Sequence, residues 1–154
     1  MTYRAGVRLG IDVGRARIGV ARCDREGLLV VPVDTIARGK GDIAALVGLA
    51  AEYQAMEVVV GLPLSLSGAP TSSTDDARDF ARALASATDL PVRLVDERLS
   101  TVAAQRALHE AGRNTRNSRP VIDQVAATII LQHALDAEKS GGNPPGTLIL
   151  RTEG

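Results

Sequence analysis

Three carboxylates lie in apolar sequence, where an ionised oxygen is poorly solvated: Asp12 in LGIDVG, Glu97 at the end of PVRLVDE, and Asp123 in PVIDQVAATII. A charge so placed needs a counter-charge. Asp96 stands beside Glu97 and competes with it for the same role. Three acids converging from distant parts of the chain would repel one another unless cations lay between them, and magnesium or manganese suits an all-oxygen ligand set. Two such ions about 3.5 to 4 Å apart would stabilise the attacking and leaving oxygens of an in-line phosphoryl displacement. Each acid also has a purely structural explanation. Asp12 could form a turn before Gly14, Glu97 could pair with Arg98 or Arg93, and Asp123 could sit at the positive end of a helix dipole.

The elements that must position these acids follow from the apolar pattern. VRLGIDVG, RIGVARC and LLVVPVDTI, separated by turns at Gly14 and Gly27, predict three consecutive antiparallel strands. Ile43, Leu46, Val47, Leu49 and Ala50 recur at helical spacing over 42–53, and MEVVVGLP then reads as a short buried strand. Residues 62–73 carry two prolines, a glycine and four serines and form a loop. Ser73 or Thr74 can cap a helix over 74–87. PVRLVDE is a further strand, and Ser100 opens a helix that Gly112 ends near Ala111. GRNTRNSR is a polar loop, and Pro120 starts an apolar helix that carries Asp123 on the stripe shared with Ala127, Ile130 and Ala134.

This order predicts an α/β fold: a mixed five-stranded sheet, with a three-strand antiparallel meander, two parallel strands and helices on both faces. In a parallel arrangement, Asp12 and Glu97 end their strands at the same sheet edge. The chain has 154 residues, of which 45% are hydrophobic, enough for one core. We assign the domain to 1–139 and expect 140–154 to be a flexible tail. No apolar run reaches a membrane-spanning length, and no leader precedes the first strand, so a soluble cytoplasmic protein is expected. Cys23 is the only cysteine and reads as a small buried hydrophobe.

Eighteen basic residues balance eighteen acidic ones, and all but Lys40 and Lys139 of the basic set are arginines, which grip phosphate oxygens bidentately. They cluster at 4–25 and 98–119. Tyr3, Tyr53 and Phe80 are the only aromatics, too few for a base-stacking platform, so a nucleic acid would be held by backbone and shape.

LGIDVGRARIGVA, VVVGLPLSLSG, VDERLST and IDQVAATIILQ together resemble, in order, the four motifs of the YqgF/RuvX family. The resemblance covers residues 8 to about 135. It implies a ribonuclease-H-like fold related to the Holliday junction resolvases, in a family described both as resolvases and as nucleases that process pre-16S ribosomal RNA. By this resemblance Asp12, Glu97 and Asp123 are the catalytic residues and metal ligands, with Mg²⁺ or Mn²⁺, two ions, as cofactor. Arg17, Arg98 and Arg119 are the implied phosphate-gripping residues. Gly61 and Pro63 belong to a Gly-Leu-Pro turn that either borders the substrate or forms a structural corner. Arg15 stands where relatives often have threonine or serine, and Pro120 and Arg119 stand where they often have lysine, which changes the surroundings of the acids but leaves all three in place.

The implied substrate is branched DNA or precursor rRNA, and a junction-cleaving form requires a homodimer, because two strands need two sites. Two other functions compete. A non-catalytic module binding nucleic acid or the ribosome could use the arginine loop 113–119, but three acids at a phosphate-facing edge would weaken it. An actin-like phosphotransferase also uses Asp-x-Gly before a hairpin, but needs two related domains.

Overall fold

The computed structural model describes residues 3–65, 67–97 and 119–149, with backbone alone for 119–123. Its strands are β1 (Arg8–Val13), β2 (Arg17–Cys23), β3 (Val30–Ala37), β4 (Glu57–Leu62), β5 (Val92–Asp96) and β6 (Thr147–Leu148). Its helices are α1 (Asp42–Glu52), α2 (Ser72–Ala87) and α3 (Arg119–Gly141). The sheet order is β3-β2-β1-β4-β5-β6. β1, β2 and β3 form the antiparallel meander, and β4 and β5 run parallel to β1, as the apolar runs and the helical connection predict.

The strand count is six where five were expected. Thr147–Leu148 lies within the stretch assigned to the tail and pairs antiparallel with β5. Two residues after a Gly- and Pro-rich segment carry too little pattern to announce a strand. The helix expected over 100–111, the arginine loop 113–119 up to Ser118, and Arg98 lie outside the described residues. Among the described residues, no helix is long and apolar enough to cross a membrane.

Helix α2 begins two residues earlier than its acidic first turn implies. Thr71, not Ser73 or Thr74, is the cap: its hydroxyl accepts from the Thr74 N–H, while the Thr74 hydroxyl accepts from the Thr71 N–H. This reciprocal box satisfies two donors that the helix cannot satisfy internally. Thr74 also donates to the Pro63 carbonyl, which ties the Gly-Leu-Pro turn to α2.

The two faces of the sheet are covered differently. Leu9, Ile11, Val58, Val60 and Val92 point toward α1 and α2 and pack with Leu46, Phe80, Ala81 and Leu84. Val59 and Val95 point the other way and pack with Ala126, Ile130, Leu131 and Ala134 of α3. Because side chains alternate along a strand, the residues two places from these belong to the α3 face as well. That face reads Arg8, Gly10, Asp12 on β1; Glu57, Val59, Gly61 on β4; and Arg93, Val95, then Glu97 beyond β5.

Candidate active site

Asp12 is the fifth residue of β1 and stays within the ladder, opposite Gly19 of β2. The turn that follows is closed by Gly14, whose N–H donates to the Arg17 carbonyl at 2.9 Å, so Asp12 is not the turn former. Its side chain is 1% exposed on the face covered by α3. The helix lies close there because Gly10 has no side chain: a Cβ at Gly10 would come within 2.6 Å of the Leu131 Cβ and 2.9 Å of the Ala127 carbonyl. Glycine at position 10 is what lets α3 approach the acid.

Glu97 follows β5 directly and is 5% exposed. Between it and Asp12 stands Gly61 of β4, where a Cβ would meet the Glu97 Oε1 at 2.7 Å and the Ile130 Cδ1 at 2.5 Å. The carboxylate therefore occupies space that any other residue at 61 would claim. Burial, and secondarily the charge of Asp96, push the Glu97 carboxyl up to about 7. Arg93, one partner considered for Glu97, turns instead to Glu57, with Nε 2.6 Å from Oε1.

Two of the three acids thus converge at the carboxyl edge of the parallel strands. Asp123 is described only by its place in the backbone of α3. Its neighbour Gln124 donates from Nε2 to the Thr35 hydroxyl at 2.9 Å. Thr35 is in register with Gly19, and Gly19 with Asp12, so this turn of α3 crosses the sheet at the level of Asp12. Among the described residues, no group of three or more His, Cys, Asp or Glu is arranged to hold a metal. The described candidates, Asp12 and Glu97, are buried carboxylates on either side of Gly61, and carboxylate oxygen is the donor type that a hard divalent cation takes.

The basic residues divide. Arg17 is half-buried at the start of β2, beside the turn that follows Asp12. Arg15 is exposed, with Nη2 3.2 Å from the Ser72 hydroxyl. Arg4 and Arg8, grouped with them in the sequence, lie at the opposite end of β1 in ion pairs with Glu138 and Glu57. The cluster at 4–25 is therefore not one phosphate-facing patch. The strand between its members sends them to opposite edges. Arg119 is described only as the first backbone position of α3.

Arg38, which the sequence does not single out, holds the site's frame. It donates to the Gly14 carbonyl at 2.8 Å and forks onto Asp76 of α2 at 2.8 and 2.9 Å. The Arg38 hydrogen bonds hold the Asp76 carboxyl below its ordinary value. A lone arginine between a strand and a glycine has no local signature for this role.

A sheet in this order, with acids at the carboxyl ends of β1 and β5 and a long helix across one face, defines a ribonuclease-H-like fold. Thermus thermophilus RuvC, solved in complex with a Holliday junction substrate, superposes with a TM-score of 0.58 at 15% identity, over 94% of this chain and 99% of that one. Residues 6–137 match the family described as "RuvX: Holliday junction resolvase". The chain belongs to that family and is a nuclease, a hydrolase of phosphodiester bonds. It is 58% identical over 151 residues to a Clavibacter michiganensis subsp. michiganensis protein named "Putative pre-16S rRNA nuclease", spanning 96% of this chain and 94% of that relative. A Thermobifida fusca protein of the same name is 51% identical over 154 residues, spanning 95% and 97%.

Proposed function

We propose that the chain is a divalent-metal-dependent endonuclease acting on structured nucleic acid, either Holliday junction DNA or the 5′ end of pre-16S rRNA, with Asp12, Glu97 and Asp123 as its metal ligands. The observation that carries this reading is the pair of almost fully buried carboxylates, from strands that are not neighbours, flanking a glycine under α3. Buried acids at one edge of a sheet are costly unless a counter-charge or hydrogen bonds offset them, and a cation is one such counter-charge. When bound, magnesium or manganese would supply the Lewis acidity that activates water and stabilises the leaving oxygen.

The chain's own part is to hold oxygens in place. Asp12 is held in the ladder opposite Gly19 of β2, one residue past the last β1–β4 pair, and Glu97 lies against Gly61. Arg17, Arg98 and Arg119 serve as grips for substrate phosphates near these acids, Arg98 by direct succession to Glu97. Gly61 makes room for Glu97. Pro63 holds the corner through Thr74. A junction-cleaving form acts as a homodimer. The names of the relatives favour RNA, and the junction-bound structural neighbour favours DNA.

The test is Asp12→Asn, assayed with Mn²⁺ on a four-way DNA junction and on a precursor rRNA fragment. Loss of cleavage of both substrates, with binding retained, is the expected outcome. Undiminished cleavage would rule out the metal mechanism, and binding of either substrate with no cleavage by the wild-type chain would favour a non-catalytic binding module.

A further inference from the structure

β6 reaches only part of the way along β5. It pairs Leu148 with Arg93 and Thr147 with Leu94, and β5 continues past this pairing to Asp96. A groove of about 660 Å³ follows this edge, from Asp96, next to Glu97, across the aliphatic side chains of Leu64, Leu94 and Ile149. Arg78 and Arg82 of α2 stand along one side and His133 of α3 along the other, and among the described residues Asp96 is the one acid lining it. Arg78 and His133 are half-buried and make no hydrogen bond or ion pair among the described residues. Arg82 leans only on Asp79, at 3.6 Å, with both side chains largely in solvent. The groove therefore combines an apolar floor, a pair of arginines along one side and continuity with the acids.

We propose that this groove seats an unpaired nucleotide of the substrate beside the cleaved bond, with its phosphate at Arg78 and Arg82 and its sugar and base on the aliphatic floor. The proposal rests on the nuclease reading and narrows the substrate to one with a single-stranded segment next to the cleavage point. A continuous duplex presents phosphates and hydrated grooves, and an aliphatic floor gains nothing from it. An unpaired base offers an apolar face that such a floor can cover. Guanidinium groups in reach of the phosphate add charge-assisted hydrogen bonds that two committed arginines could not.

The experiment uses the full chain carrying Asp12→Asn, so that binding is read without cleavage. The probes are a labelled RNA duplex with flush ends and the same duplex with a short 5′ single-stranded extension. Arg78→Gln and Arg78→Gln with Arg82→Gln are compared with the parent, with melting temperature as the folding control. The expected result is about a tenfold loss of affinity for the extended duplex in the double variant and a fall of about one to two in the slope of log affinity against log salt, while flush-duplex binding and melting hold. Arg78→Lys should recover part of the loss.

Equal affinities and equal slopes in parent and variants would overturn the proposal and leave the groove to a different partner, such as an acidic protein segment. An equal loss on both duplexes would overturn it too, because the arginines would then serve duplex backbone in general. The probes are checked for intactness after each titration, so failure of the metal mechanism shows as cut probe with Asp12→Asn, whereas failure of the groove proposal shows as unchanged affinity and salt slope on intact probe.

Discussion

The side of the parallel strands facing α3 carries charge at both ends and handles it in opposite ways. At the amino end, Arg8, Glu57 and Arg93 meet Arg4 and the last turns of α3. Glu57 takes Arg93 at 2.6 Å and Arg4 at 3.0 Å, and Glu138 takes Arg4 at 2.6 Å and Arg8 at 3.0 Å. At the carboxyl end, Asp12 and Glu97 flank Gly61 with Asp96 adjacent, acid beside acid. Both ends are buried under one helix. The difference is that the amino end matches each acid with guanidinium groups, which fixes how α3 sits, whereas the carboxyl end sets Asp12 and Glu97 on either side of a glycine, Gly61, whose missing side chain leaves room for a carboxylate. Burial raises the Glu138 carboxyl, but hydrogen bonds from Arg4 and the nearby arginine charges more than offset this and hold it below its ordinary value. Glu97, with burial and Asp96 acting in the same direction, rises to about 7.

The largest effect that could break this comparison is Glu57→Gln. It would leave Arg4 and Arg93 facing an amide, and an uncompensated buried charge typically costs about 3 to 5 kcal/mol. Metal-free thermal or urea unfolding should register that loss. Asp12→Asn, at the other end, keeps the size and shape of the side chain while removing a buried charge and should cost clearly less stability. Equal destabilisation by both substitutions would show that the two ends are alike.

Acidity separates the ends next, with opposite signs. A carboxyl held below its ordinary value in the folded protein, as Glu138 is, stabilises fully above its unfolded pKa of roughly 4.5. That contribution is lost as the pH falls through the folded value. Glu97 works the other way. Its folded pKa of about 7 means that the folded state keeps the proton longer, so the stability it contributes is fully present below the unfolded value and drains away as the pH rises through 7. In chelator, the protein should lose up to about 3 kcal/mol between pH 4.5 and 8 through this group. Glu97→Gln should flatten that decline and leave the acid-side loss intact. A decline that persists in Glu97→Gln would assign it elsewhere.

Much of this was legible in the sequence because short β-branched runs and glycine turns act locally: the meander, the two parallel strands and the placement of Asp12 and Glu97 at one edge all follow from them. The amino-end network was not legible. Glu138 is 130 residues from Arg8, and Glu57 is 36 from Arg93, so only the topology makes them neighbours. The division of the arginine cluster is equally hard to read, since Arg8 opens β1 and Arg15 lies in the turn beyond its other end, which a count of charges treats as one segment. Thr71 is hard to read as the cap because a capping box is marked by Glu or Gln at its third helical residue, and here that place is held by Thr74. β6 had too few residues to signal itself.

The smallest predicted effect is also the sharpest, because it separates stability from the site within a single helix contact. Gly10→Ala and Gly61→Ala each press a methyl group against α3, at 2.6 Å from the Leu131 Cβ in the first case and 2.5 Å from the Ile130 Cδ1 in the second. Both should destabilise by about 1 to 3 kcal/mol, as overpacked cores do. Only the methyl at 61 also meets a carboxylate, lying 2.7 Å from the Glu97 Oε1. The flexible Glu97 side chain must then swing away from Asp12, whereas at position 10 the helix backbone takes the strain. Gly61→Ala should therefore raise the Mn²⁺ concentration needed for half-maximal cleavage well beyond any change in Gly10→Ala at matched loss of stability. Parallel shifts in the two variants would mean that α3 carries the disturbance to the acids as a rigid body, and that Gly61 serves the packing of the helix more than the space for Glu97.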